Sequence, residues 1–217
     1  MIKFNLNNFS NHQNPFSHSI FENVLNIKFE VILNELKKIQ DEDFVFSKNS
    51  NFQKKELRAC SGIFGQMMNE LNSETFLDKL KNIYSFTNLT FDRSFDGGGL
   101  TITQEGGYLR YHADFPYSNA TQKFRVLNAI LYLSNSSING GELQLLDYES
   151  GTVAASIKPT FGRLVVFPTS KYTIHGFNKV INQDRISINA YYYDDSPIDD
   201  RNQPSKTIWF NNFKKKD

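Results

Sequence analysis

Four polar residues whose side chains could bind a metal or an anion lie between positions 108 and 193, in a part of the chain otherwise rich in apolar residues. His112 and Asp114 are two positions apart, His175 is the only later histidine, and Arg185 follows it by ten residues. Two imidazoles and one carboxylate can hold a divalent metal ion and still leave neighbouring coordination positions open. An arginine beside such a site can bind a carboxylate through two parallel hydrogen bonds.

The spacing of His112 and Asp114 is that of two residues on one face of a β-strand, where side chains at i and i+2 point the same way. A strand through 108–114 would bring both side chains within reach of one ion, and His175 would join them from another strand. This ligand set is the facial triad of non-haem Fe(II) sites. We predict that His112, Asp114 and His175 are the metal ligands and that Arg185 holds an organic acid beside the iron.

Alternation along the last predicted strand, residues 185–193, places Arg185 and Ser187 on one face. The same face would carry Asn189, Tyr191 and Tyr193. If this face points into the protein, arginine supplies two donors and serine a third, which together form a clamp for a carboxylate. We therefore predict that Ser187 contributes to the binding of the organic acid.

A second polar pair lies on the long apolar run 124–133. By alternation, Asn128 and Tyr132 share one face of this predicted strand with Val126 and Ile130. Buried polar groups need a hydrogen-bonding partner. These two side chains should therefore bond a ligand or each other.

The elements that must position these residues fall into a β-rich part and a helical part. From residue 86 onwards, short β-rich runs alternate with turn signals, and about eight strands predict a double-sheet jelly roll. The predicted strands are residues 100–104, 108–114, 124–133, 142–146, 153–157, 163–167, 172–175 and 185–193. The fold class is therefore mainly β with flanking helices (α+β).

The earlier part of the chain reads as a supporting layer. Apolar residues at helical spacing predict helices over 19–40 and 73–84, with Ser73 as the N-cap of the second. Residues 44–46 read as a short strand, 47–58 as a polar loop and 1–18 as an edge strand or loose arm, with His12 and His18 at the surface.

Three regions follow from these patterns. Residues 1–87 form an N-terminal helical support region within the same globular unit, 88–196 form the catalytic core, and 197–217 form a C-terminal extension. The tail from Ile208 is predicted to pack back on the core.

Composition narrows the class of protein further. The chain has 217 residues, 39% of them hydrophobic and 14% aromatic, as expected for a globular domain with a sizeable core. A net charge of +1 argues against nucleic-acid binding through a broad basic field. A single cysteine, Cys60, allows no intrachain disulfide and fits a reducing compartment. No apolar run approaches the roughly 18 residues of a membrane span. We therefore expect a cytoplasmic protein without membrane association, and its oligomeric state stays open.

Several short motifs follow one another in the β-rich part of the chain. They are Gly107-Tyr-Leu-Arg-Tyr-His-Ala-Asp114, Ala129-Ile-Leu-Tyr-Leu133, Gly140-Gly-Glu-Leu143, Ile157-Lys-Pro-Thr-Phe-Gly-Arg-Leu-Val-Val-Phe167, His175-Gly176 and Arg185. In this order, residues 97–193 resemble the prolyl 4-hydroxylase-like branch of the 2-oxoglutarate/Fe(II)-dependent dioxygenase superfamily. The substrate-binding loops, including residues 115–123, match no motif of that family.

The resemblance implies a double-stranded β-helix, which is a cupin-like jelly roll, with Fe2+ at its mouth. It implies 2-oxoglutarate as cosubstrate, O2 as oxidant and ascorbate as a candidate accessory. The residues matching catalytic positions are His112, Asp114, His175 and Arg185, and those matching cosubstrate positions are Arg185, Tyr132, Asn128 and Ser187. Collagen-type prolyl hydroxylases have lysine in place of Arg185. With arginine at this position, the chain resembles the oxygen-sensing prolyl hydroxylases instead.

The implied reaction is hydroxylation of an unactivated C–H bond with release of succinate and CO2. The substrate is left open between a peptide, at proline, and a free amino acid, a sugar nucleotide or another small metabolite. A further alternative is a catalytically silent, cupin-like binding or sensing module. The intact triad and Arg185 count against this last alternative.

Overall fold

The computed structural model describes residues 2–40, 43–46, 54–201 and 207–210. The helices in these ranges are α1 (Phe29–Leu36), α2 (Gly62–Leu71) and α3 (Glu74–Tyr84). The strands are β1 (Phe9–His12), β2 (His18–Phe21), β3 (Val45–Phe46), β4 (Lys54–Leu57), β5 (Thr90–Phe91), β6 (Gly99–Thr103), β7 (Leu109–Ala113), β8 (Tyr117–Ser118), β9 (Lys123–Tyr132), β10 (Asn139–Gly140), β11 (Leu143–Leu146), β12 (Val153–Ile157), β13 (Leu164–Pro168), β14 (His175–Phe177), β15 (Val180–Ile181), β16 (Arg185–Asp194) and β17 (Ile208–Trp209). No helix in these ranges is long and apolar enough to cross a membrane.

Two antiparallel sheets form the core of the molecule. The larger has the order β1-β2-β13-β9-β16-β6-β4-β3, and the smaller has the order β12-β11-β14-β7-β17. From β6 to β16 the chain supplies four strands to the main path of the larger sheet, β6, β9, β13 and β16, with the short β8 added beside β9, and four to the smaller one, β7, β11, β12 and β14. Four strands in each of two facing sheets make the double-stranded β-helix. The predicted fold class is therefore confirmed.

The two faces of the larger sheet have different neighbours. Leu127, Ala129 and Leu131 of β9 belong to the main apolar core, which also contains buried side chains of all three helices. Ile130 and Tyr132, one position out of phase, pack with residues of β11 in the smaller sheet. Because strand side chains alternate between faces, one strand can serve both the helical layer and the interior between the sheets.

A β-bulge interrupts this alternation near the start of β9. Opposite β16, Tyr192 pairs with Leu127 but the next residue, Tyr193, pairs with Arg125, so Val126 is an extra residue. A bulge shifts the side-chain parity of the residues before it. Val126 consequently packs in the helix-side core, whereas Arg125 lines the cavity between the sheets. The prediction that Val126 shares a face with Asn128 is wrong for this reason.

The N-terminal predictions need three corrections. Residues 18–21 form β2, which pairs with both β1 and β13, and the helix begins only at Phe29. Pairing with an open strand edge here outweighs the helical spacing of apolar residues. His18 is only 3% exposed and its Nδ1 bonds the carbonyl of Phe16, so its assignment to the surface is wrong, whereas His12 is exposed.

The third correction concerns the segment predicted as a loop over 47–58. Residues 54–57 form β4, which pairs with β6 in the larger sheet, while 47–53 lie outside the described residues. Two other predictions are confirmed. Residues 45–46 form the short strand β3, and the Ser73 side chain caps α3 by accepting a hydrogen bond from the Phe76 amide at 3.2 Å.

Phe76 joins the helical layer to the larger sheet, and its replacement tests whether the two form one unit. Its ring packs edge-on against Phe4, Phe21 and Tyr192, with centroids 6.3, 6.5 and 5.9 Å away. We expect Phe76→Ala to lower the free energy of unfolding by about 3–5 kcal/mol. Urea denaturation should show a single transition that shifts as a whole. The exposed Tyr108 is a suitable control for alanine replacement, and a separately melting N-terminal region would contradict the expectation.

Candidate active site

The three predicted metal ligands meet at the smaller sheet. β7 carries His112 and leads directly into Asp114, and β14 begins with His175, which lies opposite His112 in the β7–β14 pair. Asp114 Oδ1 is 3.5 Å from His112 Nε2, and Asp114 Oδ2 is 3.8 Å from His175 Nε2. One ligand atom from each residue lies within 4.8 Å of the others, and all three side chains are buried. Two nitrogens and one oxygen at this spacing suit a first-row divalent metal.

Backbone hydrogen bonds orient both imidazoles. His112 Nδ1 lies 2.9 Å from the carbonyl oxygen of Arg110, and His175 Nδ1 lies 3.0 Å from that of Thr173. A carbonyl oxygen can only accept, so each Nδ1 carries the proton. Each Nε2 is therefore left with a lone pair facing the centre of the cluster, as in histidines that bind metals.

The charges in the cluster also favour metal binding at neutral pH. Although burial opposes ionisation, His175, His112 and Arg125 together hold the pKa of the Asp114 carboxyl well below its usual range. Burial, helped by the neighbouring His112, lowers the pKa of His175 to about 4. The site therefore presents a carboxylate and a neutral imidazole, the protonation states that bind metals.

Asn128 connects β9 to the cluster. Its side-chain Nδ2 donates a hydrogen bond to Asp114 Oδ2 at 3.0 Å. Its Oδ1 is buried and has no hydrogen-bond partner among the described residues. A buried polar atom in this condition is a candidate contact for a ligand.

Arg185 lies deep in the same interior, on β16. Its Nε donates to the Gly141 carbonyl at 2.9 Å, and its terminal nitrogens donate to Tyr132 Oη at 3.3 Å and Ser187 Oγ at 3.4 Å. These partners are all neutral, and burial lowers the pKa of the guanidinium. Within the described ranges, no carboxylate forms an ion pair with Arg185. A buried cation without a counter-ion is unfavourable until an anion joins it.

The triad and Arg185 line one cavity of about 240 Å³ between the two sheets. Asn128 also lines this cavity, whereas Tyr132 and Ser187 are fully buried and contact the guanidinium of Arg185. The donor set, together with an Asn128 oxygen and an arginine that lack a partner and a counter-ion among the described residues, fits a metal ion with an anionic chelator beside it. Direct contact of Tyr132 and Ser187 with that anion stays a prediction.

Arg125 is a second buried cation at this cavity, and sequence reasoning missed it. Its guanidinium carbon lies 3.6 Å from the ring centroid of Phe115 and 3.4 Å from that of Tyr191. Its Nη2 donates to the Asp96 carbonyl at 3.1 Å, while its buried Nε has no partner among the described residues. The available signal was a single arginine within an apolar strand, but strict alternation would place its side chain on the opposite face.

The C-terminal extension supplies another wall. β17 pairs with β7, with Trp209 opposite His112, and the two rings lie 5.0 Å apart. The tail therefore packs back on the core as predicted, as far as residue 210. On the other side, the edge of Phe167 meets the ring of His175 with centroids 4.7 Å apart. Aromatic rings thus shield both histidines.

A double-stranded β-helix with a His-Asp-His cluster and an arginine buried in one cavity defines the class of protein. Residues 90–193 match the model of the 2OG-Fe(II) oxygenase superfamily. This part of the chain belongs to that superfamily, whose members work with Fe2+, 2-oxoglutarate and O2. The recognition made from the sequence motifs is confirmed.

Curated relatives match over a short segment only. Prolyl 3-hydroxylase 2 of Gallus gallus is 35% identical over 69 residues, covering 32% of this chain and 10% of the relative. The Homo sapiens protein of the same name is 33% identical over 69 residues, with the same coverage. The chain thus spans about a tenth of the length of these relatives.

Solved structures match over most of the chain. A Pseudomonas putida prolyl-4-hydroxylase superposes with a TM-score of 0.58 at 17% identity, covering 81% of this chain and 91% of that one. A Trichoplax adhaerens prolyl hydroxylase, in complex with a hypoxia inducible factor oxygen degradation domain peptide fragment, gives 0.58 at 21% identity, covering 82% and 83%. At these identities the likeness establishes the fold.

Proposed function

We propose that this protein is a 2-oxoglutarate-dependent Fe(II) dioxygenase that hydroxylates an unactivated C–H bond of a prolyl residue in a peptide. One observation carries the proposal: the His112–Asp114–His175 cluster and the buried guanidinium of Arg185, which pairs with no carboxylate of the described residues, line the same cavity. A 2-oxo acid with a second carboxylate needs a metal for its chelating end and a cation for its far carboxylate. The cavity offers the two together.

Each residue has a distinct task in this proposal. His112, Asp114 and His175 hold the iron, and Arg185 binds the far carboxylate of 2-oxoglutarate. Tyr132 and Ser187 keep the guanidinium of Arg185 in place through their hydroxyl groups. The chemistry supplied by iron when bound is the O2-dependent conversion of 2-oxoglutarate to succinate and CO2, coupled to hydroxylation of the substrate.

Three further residues that line the cavity favour a peptide substrate. Arg125 can donate hydrogen bonds to backbone carbonyl groups, and Tyr191 and Trp209 provide aromatic surface for an apolar ring. The peptide complex of the Trichoplax adhaerens relative and the name of the curated prolyl 3-hydroxylases point in the same direction. Ascorbate dependence, a cytoplasmic location and the absence of nucleic-acid binding stay predictions.

The decisive experiment combines spectroscopy with substrate screening. Under nitrogen, the protein with Fe(II) and 2-oxoglutarate should show the visible charge-transfer band of that chelate. Air and proline-containing peptides should then stimulate succinate release, with hydroxylated peptide detected by mass spectrometry. Stimulation by free amino acids or sugar nucleotides instead would favour a metabolite hydroxylase. A band without succinate formation on any substrate would favour a binding or sensing module.

The substrate side of the proposal can be tested at Arg125. A charge-assisted hydrogen bond contributes about 1.5–3 kcal/mol. Arg125→Lys should therefore raise KM for the peptide about tenfold or more while leaving the Fe(II)–2-oxoglutarate band in place. Lysine keeps the charge but loses the planar set of donors and the stacking between rings. A variant with reduced thermal stability but an unchanged KM would show that Arg125 only supports the fold.

A further inference from the structure

Arg201 lies beyond the segment that matches the superfamily and reaches back to the metal cluster. Its Nη1 donates a hydrogen bond to the backbone carbonyl of Asp114 at 2.7 Å, and its Nη2 donates to the carbonyl of Thr169 at 3.2 Å. Its Nε pairs with the Asp199 carboxylate at 2.9 Å. The side chains of this pair are only 9% and 8% exposed. The guanidinium is therefore held on three sides.

The two carbonyl groups belong to the segments that carry two of the metal ligands. β7 ends at Ala113, so the strand stops just before Asp114. Thr169 follows the end of β13 and opens the connection that leads to His175 at the start of β14. Arg201 thus joins, through one rigid group, the backbone of one ligand to the connection that delivers another.

Asp199 fixes the same connection independently. Its Oδ2 accepts a hydrogen bond from the backbone amide of Lys171 at 2.6 Å, and its Oδ1 accepts one from the amide of Arg201 at 2.9 Å. The ion pair and its backbone partners therefore close a ring of contacts around residues 169–171 and Asp114. Charge-assisted hydrogen bonds are the strong ones, and a planar guanidinium fixes direction as well as distance.

The charge of Arg201 contributes little at the cluster. The Asp199 carboxylate, 2.9 Å from Arg201 Nε, balances that charge at close range. The influence of Arg201 on the metal site is therefore geometric.

We propose that Arg201, held by Asp199, is a positioning residue that sets the separation of Asp114 and His175 for metal binding. The inference rests on the proposed function, because it takes the cluster to be a metal site. It assigns a role to the C-terminal extension, which lies outside the double-stranded β-helix. Loss of outer partners of a ligand typically costs 10–100-fold in metal affinity.

The test is a calorimetric titration of the apo full chain with Co(II), without cosubstrate. We expect Arg201→Ala to weaken Co(II) binding by about tenfold or more. The Co(II) affinity of Arg201→Lys should lie between those of Arg201→Ala and wild type. Lysine can still pair with Asp199 but cannot bridge two carbonyls with a planar fork. Arg163→Ala is a matched control. Arg163 also bonds a carboxylate and a backbone carbonyl, those of Glu22 and Lys158, but it bonds neither Asp114 nor the connection that leads to His175.

Thermal melting of the apo proteins separates positioning from folding. Both variants should lose stability, Arg201→Ala the more because its ion pair is more deeply buried, but only Arg201→Ala should lose metal affinity. If Arg201→Ala does not fold, the Arg201→Lys variant decides. Co(II) affinity of Arg201→Lys within twofold of wild type overturns the inference. A folded Arg201→Ala that binds Co(II) within twofold of wild type also overturns it and leaves the proposed function standing. Wild-type protein that binds no Co(II) would instead remove the metal site on which both depend.

Discussion

Replacing His175 with alanine is expected to eliminate metal binding under conditions in which wild type is saturated. Loss of a group that only supports a ligand already costs 10–100-fold in metal affinity, so loss of a ligand should cost more than about 100-fold. His175 is 3% exposed, and its Nε2 lies 3.8 Å from Asp114 Oδ2. No other histidine in the described ranges lies close enough to take its place. The Fe(II)–2-oxoglutarate band under nitrogen and bound iron after desalting are the measurements.

A control must separate ligand loss from the loss of a buried imidazole. His18 provides it, because it is also buried and also bonds a backbone carbonyl through Nδ1. His18→Ala should reduce stability but retain the band and the bound iron. If His175→Ala retained both, the assignment of the three ligands would have to be abandoned.

Arg185→Ala is expected to weaken 2-oxoglutarate binding by about tenfold to a hundredfold, with metal affinity unchanged. This range follows from about 1.5–3 kcal/mol for hydrogen bonds to a charged group. The loss should appear in KM for 2-oxoglutarate, because the far carboxylate is remote from the reacting bond. Co(II) binding without cosubstrate should match wild type, since the triad is untouched.

The cosubstrate itself offers the complementary test. Pyruvate has the 2-oxo acid group but lacks the far carboxylate, so wild type should use it poorly. In Arg185→Ala the preference for 2-oxoglutarate over pyruvate should shrink by about the same tenfold or more. Arg185→Lys should retain part of the affinity, because the ammonium keeps the charge but not the two-pronged geometry. Equal use of both acids by wild type would show that Arg185 does not bind the far carboxylate.

Much of this site follows from local periodicity. The placement of His112 and Asp114 on one face needs only a strand, because alternation is fixed by backbone geometry. The same reasoning separates Arg185 and Ser187 from Ile186 and Ile188, and the structure places these apolar residues in the helix-side core. The N-cap at Ser73 was equally predictable, because a cap involves only neighbours along the chain.

Other features depend on which segments become neighbours. The bulge at Val126, which turns Arg125 into the cavity, arises where β9 and β16 meet and changes the parity that a single strand would show. Residues 19–21 begin the predicted helix, yet they pair with β13. The apolar pattern of one segment cannot predict either effect, because each depends on the pairing register with a strand distant in the chain.

The C-terminal extension shows most clearly what the sequence could predict and what tertiary packing decided. Its composition suggested only that the tail packs back on the core, whereas the structure sets Trp209 against His112 and Arg201 against the backbone of Asp114. The types and spacing of a few residues therefore predicted the chemistry of the site, because metal ligation depends on residue type and strand alternation depends only on neighbours along the chain. The groups that shield and position those residues were decided by tertiary packing, because their contacts join segments up to 97 positions apart, as between His112 and Trp209.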